Sequence, residues 1–172
     1  AHDFNRPADH ERQYTTQPTR HSEFNVNLLY LSGQIEKGRS RGKITLQHGT
    51  SVVKNYAGEP TLGSTSGPND SRYLQEAYAG FKLAEQTWVD AGIYLGHIGM
   101  ESWISKQNWV YSRSMMLDYV PYYQTGVRLS HQFNEHHSGQ IHIMNGWQNI
   151  SETNQDKAIG VSYTLQTNKY LF

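Results

Sequence analysis

The sequence predicts an all-β chain, an antiparallel up-and-down meander. Three observations carry this: polarity alternates with period two through seven segments, the connections between them alternate short and long, and the five prolines all fall outside them. Strict alternation sends one set of side chains to each face of a strand. Proline, which cannot donate to a sheet ladder, is excluded from the strands for the same reason.

Residues 1–22 are polar and irregular, with Pro7 and Pro18, and are expected to form an extended N-terminal arm, leaving 23–172 for strands. In the first strand Phe24, Val26, Leu28 and Tyr30 alternate with Asn25, Asn27, Leu29 and Leu31, and the pattern ends at Ile35. A turn at 36–40 leads to the second, where Gly42, Ile44, Leu46 and His48 alternate with Arg41, Lys43, Thr45 and Gln47. A long Gly/Ser/Pro-rich connection, 50–73, follows. The third strand sets Ala77, Ala79, Phe81 and Leu83 against Glu76, Tyr78, Gly80 and Lys82. After a short turn at 84–86, the fourth sets Val89, Ala91, Ile93 and Leu95 against Trp88, Asp90, Gly92 and Tyr94. A second long loop, 97–121, precedes Tyr123-Thr125-Val127-Leu129. Ile141-Ile143 and Ile159-Val161-Tyr163-Leu165 complete the series, and residues 170–172 could begin an eighth strand.

Composition narrows the class. The 172 residues suit one domain, and Lys plus Arg (15) equals Asp plus Glu (15), so the basic excess of a nucleic-acid partner is missing. With no cysteine there is no disulfide framework, thiolate metal site or Cys nucleophile. Mean hydropathy is −0.74, and the longest apolar run is Leu28-Leu29-Tyr30-Leu31. A membrane-spanning helix of about 20 apolar residues is therefore excluded, whereas a transmembrane strand of about 9–11 residues, apolar on one face, is not. Twelve tyrosines and four tryptophans argue against disorder.

Unequal connections fit the short turns and long loops of a membrane barrel, but a soluble sandwich or lipocalin-like barrel can also carry uneven loops. The distribution of small residues favours the membrane. Ala77, Ala79 and Ala91 lie in the apolar set, while Gly80, Gly92, Gly126 and Gly160 stand among large polar residues, as a crowded water-filled interior requires. On that reading Ala79, Ile93, Val127 and Val161 face lipid.

Motifs for chemistry are missing. There is no Gly-x-Ser-x-Gly, no His-Glu-x-x-His and no phosphate-cradling Lys loop, so no enzymatic activity, cofactor or metal is expected. His131, His136, His137 and His142 surround one hairpin and could converge on a metal, but solvated turn and wall histidines are the expectation. Glu101 near His97 reads as a loop ion pair or hydrogen bond rather than an acid–base couple.

Longer stretches carry a resemblance. They are Asp3-Phe4-Asn5-Arg6-Pro7, the segment from Leu74 to Gly80, Trp88 to Tyr94, His97-Ile98-Gly99-Met100-Glu101-Ser102, Asn108 to Ser114, Asp118 to Val127, Met144 to Ile150 and Lys157 to Gly160. Together they resemble the OmpL-like family of Gram-negative outer-membrane β-barrel porins. The resemblance implies an antiparallel up-and-down transmembrane β-barrel in the cell outer membrane, a porin-like channel passing small polar solutes or ions by diffusion. Its partners would be outer-membrane lipid and those solutes, with a homo-oligomer or protein partners in addition. Members of the family are longer, so the seven or eight strands here are expected to be part of a larger barrel. The alternative role is a structural barrel serving as anchor or scaffold for partner proteins.

Pore-lining candidates follow from phase. Arg41, Lys43, Glu76, Lys82, Asp90 and Arg128 all fall on the polar side of their strands, an excess of two positive charges that would set ion preference. Glu101, Lys106, Trp109 and Arg113 mark a loop that would fold inward as a constriction or cap the mouth, the alternative being a packed surface loop with aromatic anchors.

Overall fold

The computed structural model describes residues 4–13, 15, 17–61, 67–110 and 113–167. Seven strands run in chain order: β1 (Leu29–Lys37), β2 (Ser40–His48), β3 (Leu74–Ala84), β4 (Thr87–Leu95), β5 (Tyr123–Gln132), β6 (His137–Met144) and β7 (Ala158–Leu165). Each pairs antiparallel with its sequence neighbours, giving one sheet in the order β1-β2-β3-β4-β5-β6-β7, with β1 and β7 as open edges among the described residues. The expected start of an eighth strand at 170–172 lies outside the described residues.

Connections 38–39, 85–86 and 133–136 are short and lie at one end of the sheet. Those at the other end, 49–73, 96–122 and 145–157, are long; the first holds two short helices, α1 (Thr50–Asn55) and α2 (Pro68–Ser71). The β1–β2 turn is tighter than its sequence suggests. β1 runs to Lys37 and Gly38 takes φ 61°, the positive angle that a two-residue hairpin wants at its first central position.

β1 also corrects the expected phase. It begins at Leu29 rather than Phe24, because the carbonyls of Val26 and Asn27 accept the N–H groups of Thr50 (3.0 Å) and Ser51 (3.1 Å) at the start of α1 and are unavailable to a ladder. Its register, Leu31 opposite Leu46 and Gly33 opposite Ile44, puts Leu29 and Leu31 on the apolar face and Tyr30 on the polar one. The other six strands keep the expected alternation.

The apolar face is uncovered over most of its area. Ile35, Ile44, Ile143, Ile159 and Val161 are all at least half exposed, while polar residues on the opposite face, Thr45, Gln47, Glu76, Asp90, Gln124 and His142, are buried. This is the reverse of a water-soluble sheet, where a continuous exposed apolar surface would drive association.

At the long-loop end the chain builds a conventional core from Val52, Tyr56, Trp103, Leu117, Tyr122 and Tyr123. Tyr56 stacks on Tyr123 at 4.3 Å, and Trp103 packs on Tyr122 at 5.2 Å. Burial pushes the Tyr56 hydroxyl well above its ordinary pKa, and it donates to the Leu74 carbonyl at 2.9 Å. Glu59 ties three segments together: its carboxylate accepts the Tyr123 hydroxyl (2.6 Å) and the N–H groups of Ile150 (2.7 Å) and Ser151 (3.1 Å). Ile93 belongs to this core and is only 9% exposed, so it does not face lipid as its phase suggested. Loop residues distant in sequence cover it. Ala79, Val127 and Val161 are exposed as expected.

Before β1, residues 4–13 and 17–22 form no strand, only an isolated bridge between Glu11 and Arg20. Arg20 grips Glu23 through two bonds of 2.9 and 3.0 Å, which with Asn25 lowers the Glu23 carboxyl to about 2. Lys54 on α1 pairs with Glu11 at 2.9 Å, holding this segment against the long-loop end.

Val127→Arg, at mid-strand on the uncovered face, should cost about 2–4 kcal/mol of folding stability in lipid. Urea titration of the inserted protein measures this, and an unchanged midpoint would show that the face does not meet hydrocarbon.

Candidate functional site

The strand register lines up one transverse row across the polar face: Glu36, Arg41, Gly80, Asp90, Arg128, His142 and Gly160, one residue from each strand. Neighbouring strands lie about 4.8 Å apart, so Arg41 on β2 and Asp90 on β4 are separated by the whole width of β3. They nevertheless meet. Arg41 Nε and Nη2 donate to the two Asp90 oxygens at 2.7 and 2.6 Å. Gly80 makes this possible, since a Cβ there would stand 2.2 Å from Asp90 Oδ1 and 3.0 Å from Arg41 Cγ.

From the other side Arg128 donates its Nε (3.1 Å) and Nη2 (2.8 Å) to Asp90 Oδ2. The Asp90 carboxylate is completely withdrawn from solvent and shared by two guanidinium groups. Aromatic rings hold both arginines in place: Arg41 lies 4.4 Å over Trp88, and Arg128 lies 4.7 Å over Tyr94 and 5.3 Å over Tyr78. Such stacking, added to fork-shaped hydrogen bonding, fixes orientation as well as charge.

The remaining expected wall residues divide into two places. Lys43 and Glu76 form an ion pair. Lys82 sits over Trp88, its ammonium 5.8 Å from the ring centre. All six expected residues therefore lie on the polar face, and three of them form one network. The expectation left out Glu36, because it ended the first strand at Ile35. Glu36 lies on the same face opposite Arg41, which reduces the local excess from two positive charges to one.

Histidines contribute structure rather than a cluster. His97, at the start of the 96–122 loop, stacks on His142 at 4.0 Å, and its Nδ1 meets Gln124 Oε1 at 2.7 Å. Gly160 leaves room for that ring; a Cβ would come within 2.5 Å of it. His131 bonds Thr87 (2.8 Å), His137 bonds Tyr163 and His142 bonds Gln140 (3.1 Å), so these three of the four histidines around the hairpin go to separate partners. His97 and Glu101 also part company, contrary to the expected loop contact. Glu101 instead accepts the Ser114 N–H at 3.1 Å together with its hydroxyl, closing the loop on itself.

Of the expected constriction residues, Glu101 and Arg113 are neighbours and Lys106 and Trp109 lie apart on the surface. Lys106 is exposed, Trp109 is 88% exposed, and the aromatic anchor of this loop is Trp103, at 3%. Arg113 is half-buried beside Tyr122, Asp118 and Glu101, and burial lowers its pKa from the usual arginine value. Gln47, Gln75 and Glu59 are not among the expected site residues, yet they bind one another or the loops. Gln75 is the extra residue of a bulge, donating to Gln47 at 3.2 Å, and only the pairing with β2 reveals it.

Asp90→Ala should lose about 3–5 kcal/mol of folding stability, because it leaves two adjacent guanidinium groups without their shared counter-charge. Gly80→Ala should shift the same unfolding midpoint in the same direction by crowding the Arg41–Asp90 contact. Unfolding of the lipid-inserted variants checks both.

Comparison with known proteins gives one family. Neither a curated protein nor a solved structure matches the chain. The family described as "Putative beta-barrel porin-2, OmpL-like" matches residues 1–171, which takes in all seven strands, the shared-carboxylate network and every long loop. With an up-and-down sheet of inverted polarity under a match of that extent, the chain belongs to the OmpL-like beta-barrel porin family.

Proposed function

We propose that this chain forms a porin-like channel of the outer membrane, with its polar face turned to a water-filled lumen that passes small polar solutes or ions. The family supports an outer-membrane, porin-like and non-enzymatic role in general terms. The single observation that carries the finer reading is the inversion of the sheet: carboxylate, imidazole and amide groups are buried on one face while isoleucine, leucine and valine are exposed on the other. In lipid, every strand edge must be paired, so β1 and β7 meet further strands and the sheet is one arc of a closed wall.

On this reading Arg41, Lys43, Glu76, Lys82, Asp90 and Arg128 line the lumen, and the arm and the loops stand outside the hydrocarbon. Their partial neutralisation leaves a weak positive field, screened over about 8 Å at physiological salt. The rival, a barrel acting as anchor or scaffold, draws on the aromatic core that packs the long loops together at one end.

Planar-bilayer recording separates the two. The channel reading expects steady conductance with a modest anion preference that grows as salt is lowered. Lys82→Glu should diminish or reverse that preference, since Lys82 balances no buried carboxylate. Reconstituted protein without conductance would leave the scaffold.

A further inference from the structure

We infer that the concavity between Arg41, Trp88 and Arg128 on the polar face is a binding site for the carboxylate of a small organic acid. The inference rests on the channel reading, because it takes this face to be wet and open to solutes. The concavity has a volume of about 510 Å³ and is lined by Arg41, Tyr78, Trp88, Arg128, Ser130 and Gln140, with Glu85 of the β3–β4 turn on its border. That volume falls in the range that holds small ligands.

The chemistry lies in the donors left over. Each guanidinium has five N–H groups. Asp90 engages Nε and Nη2 of both arginines, and the second contact of Arg41 Nη2 is a long one to Ser130 Oγ at 3.4 Å. Among the described residues, neither Nη1 has a protein acceptor. Both Nη2 atoms converge on the same Asp90 oxygen, at 2.6 and 2.8 Å, so the two guanidinium groups lie side by side. Two cations share one anion in direct contact there, and the carboxylate of an acid would take up the donors that Asp90 leaves over.

Planar forks meet a carboxylate in pairs of parallel hydrogen bonds, as they also meet phosphate, and the Glu85 carboxylate on the border favours the singly charged acid over dianionic phosphate. The forks are also held before any ligand arrives, by Asp90 below and by Trp88, Tyr78 and Tyr94 alongside. Little ordering is then left for binding to impose. The carbon body of the acid would rest beside Trp88 and Tyr78, with the Ser130 hydroxyl and the Gln140 amide nitrogen, on cross-strand neighbours, facing its polar substituents; the Gln140 oxygen is engaged by His142 at 3.1 Å. Glu85 at the border disfavours a second carboxylate on the same molecule.

The test uses benzoate, its neutral isostere benzamide and inorganic phosphate on the whole chain in detergent micelles, with binding read by equilibrium dialysis. Saturable binding of benzoate, with benzamide not binding and phosphate displacing it poorly, is the expected result. Arg128→Lys keeps the positive charge on Asp90 but loses the fork, and should weaken benzoate about tenfold. Equal binding of benzamide, equal competition by phosphate, or an unaltered Arg128→Lys protein would each overturn the inference. Should that variant not fold, the three ligands on the unaltered chain decide the matter. Bilayer conductance measured in parallel keeps the two readings apart. Current without benzoate binding rejects the site and leaves the channel, whereas benzoate binding without current keeps the site and rejects the channel.

Discussion

One face of the sheet is given to isoleucine, leucine, valine and alanine, most of it uncovered by the described residues, so the polar groups of the strands must find their partners on the other face. That face is crowded, because side chains project from strands about 4.8 Å apart. Unlike charges have to stand near one another, and long side chains need empty positions to cross. Asp90 and Gly80 meet the two demands together: the carboxylate balances arginines from β2 and β5, and the glycine lets the arginine of β2 pass over β3. Gly160 plays the same part for His97, which carries the start of a long loop onto the polar face.

A second kind of chemistry holds the loops. Tyr56, Trp103, Tyr122 and Tyr123 bury their rings against one another, and Glu59 satisfies a hydroxyl and two backbone N–H groups that such packing would otherwise strand. An unpaired buried donor costs about 1–3 kcal/mol, so one carboxylate accepting from β5 and from residues 150 and 151 is a strong tie between segments. The molecule thereby combines an aromatic core at one end with a charged, polar face along the strands. The family supports a porin-like outer-membrane role in general terms.

Much of this was legible. From β2 to β7 apolar and polar residues alternate over most of each strand, broken at the Gln75 bulge of β3, and the assignment of faces follows from that alternation. The first strand was ambiguous, since Leu28-Leu29-Tyr30-Leu31 supports either phase, and the outcome depended on α1 borrowing the carbonyls of Val26 and Asn27. Ile93 had the correct phase and the wrong environment, because loops from elsewhere in the chain cover it. The charged residues were identifiable by phase, yet their partners were not. Arg41 and Asp90 are 49 residues apart and on strands that are not neighbours, a contact no alternation rule contains.

Period-two patterning, the placement of proline and the inequality of the connections by themselves determined a meander with one apolar and one polar face, because side-chain direction in a strand is a local property of the backbone. Tertiary structure decided the rest. The register across seven strands put Glu36, Arg41, Asp90, Arg128 and His142 in a single row, and the absent side chains of Gly80 and Gly160 decided which of them could touch. Such contacts depend on distances between segments far apart in the chain, which pairing and packing set and composition does not.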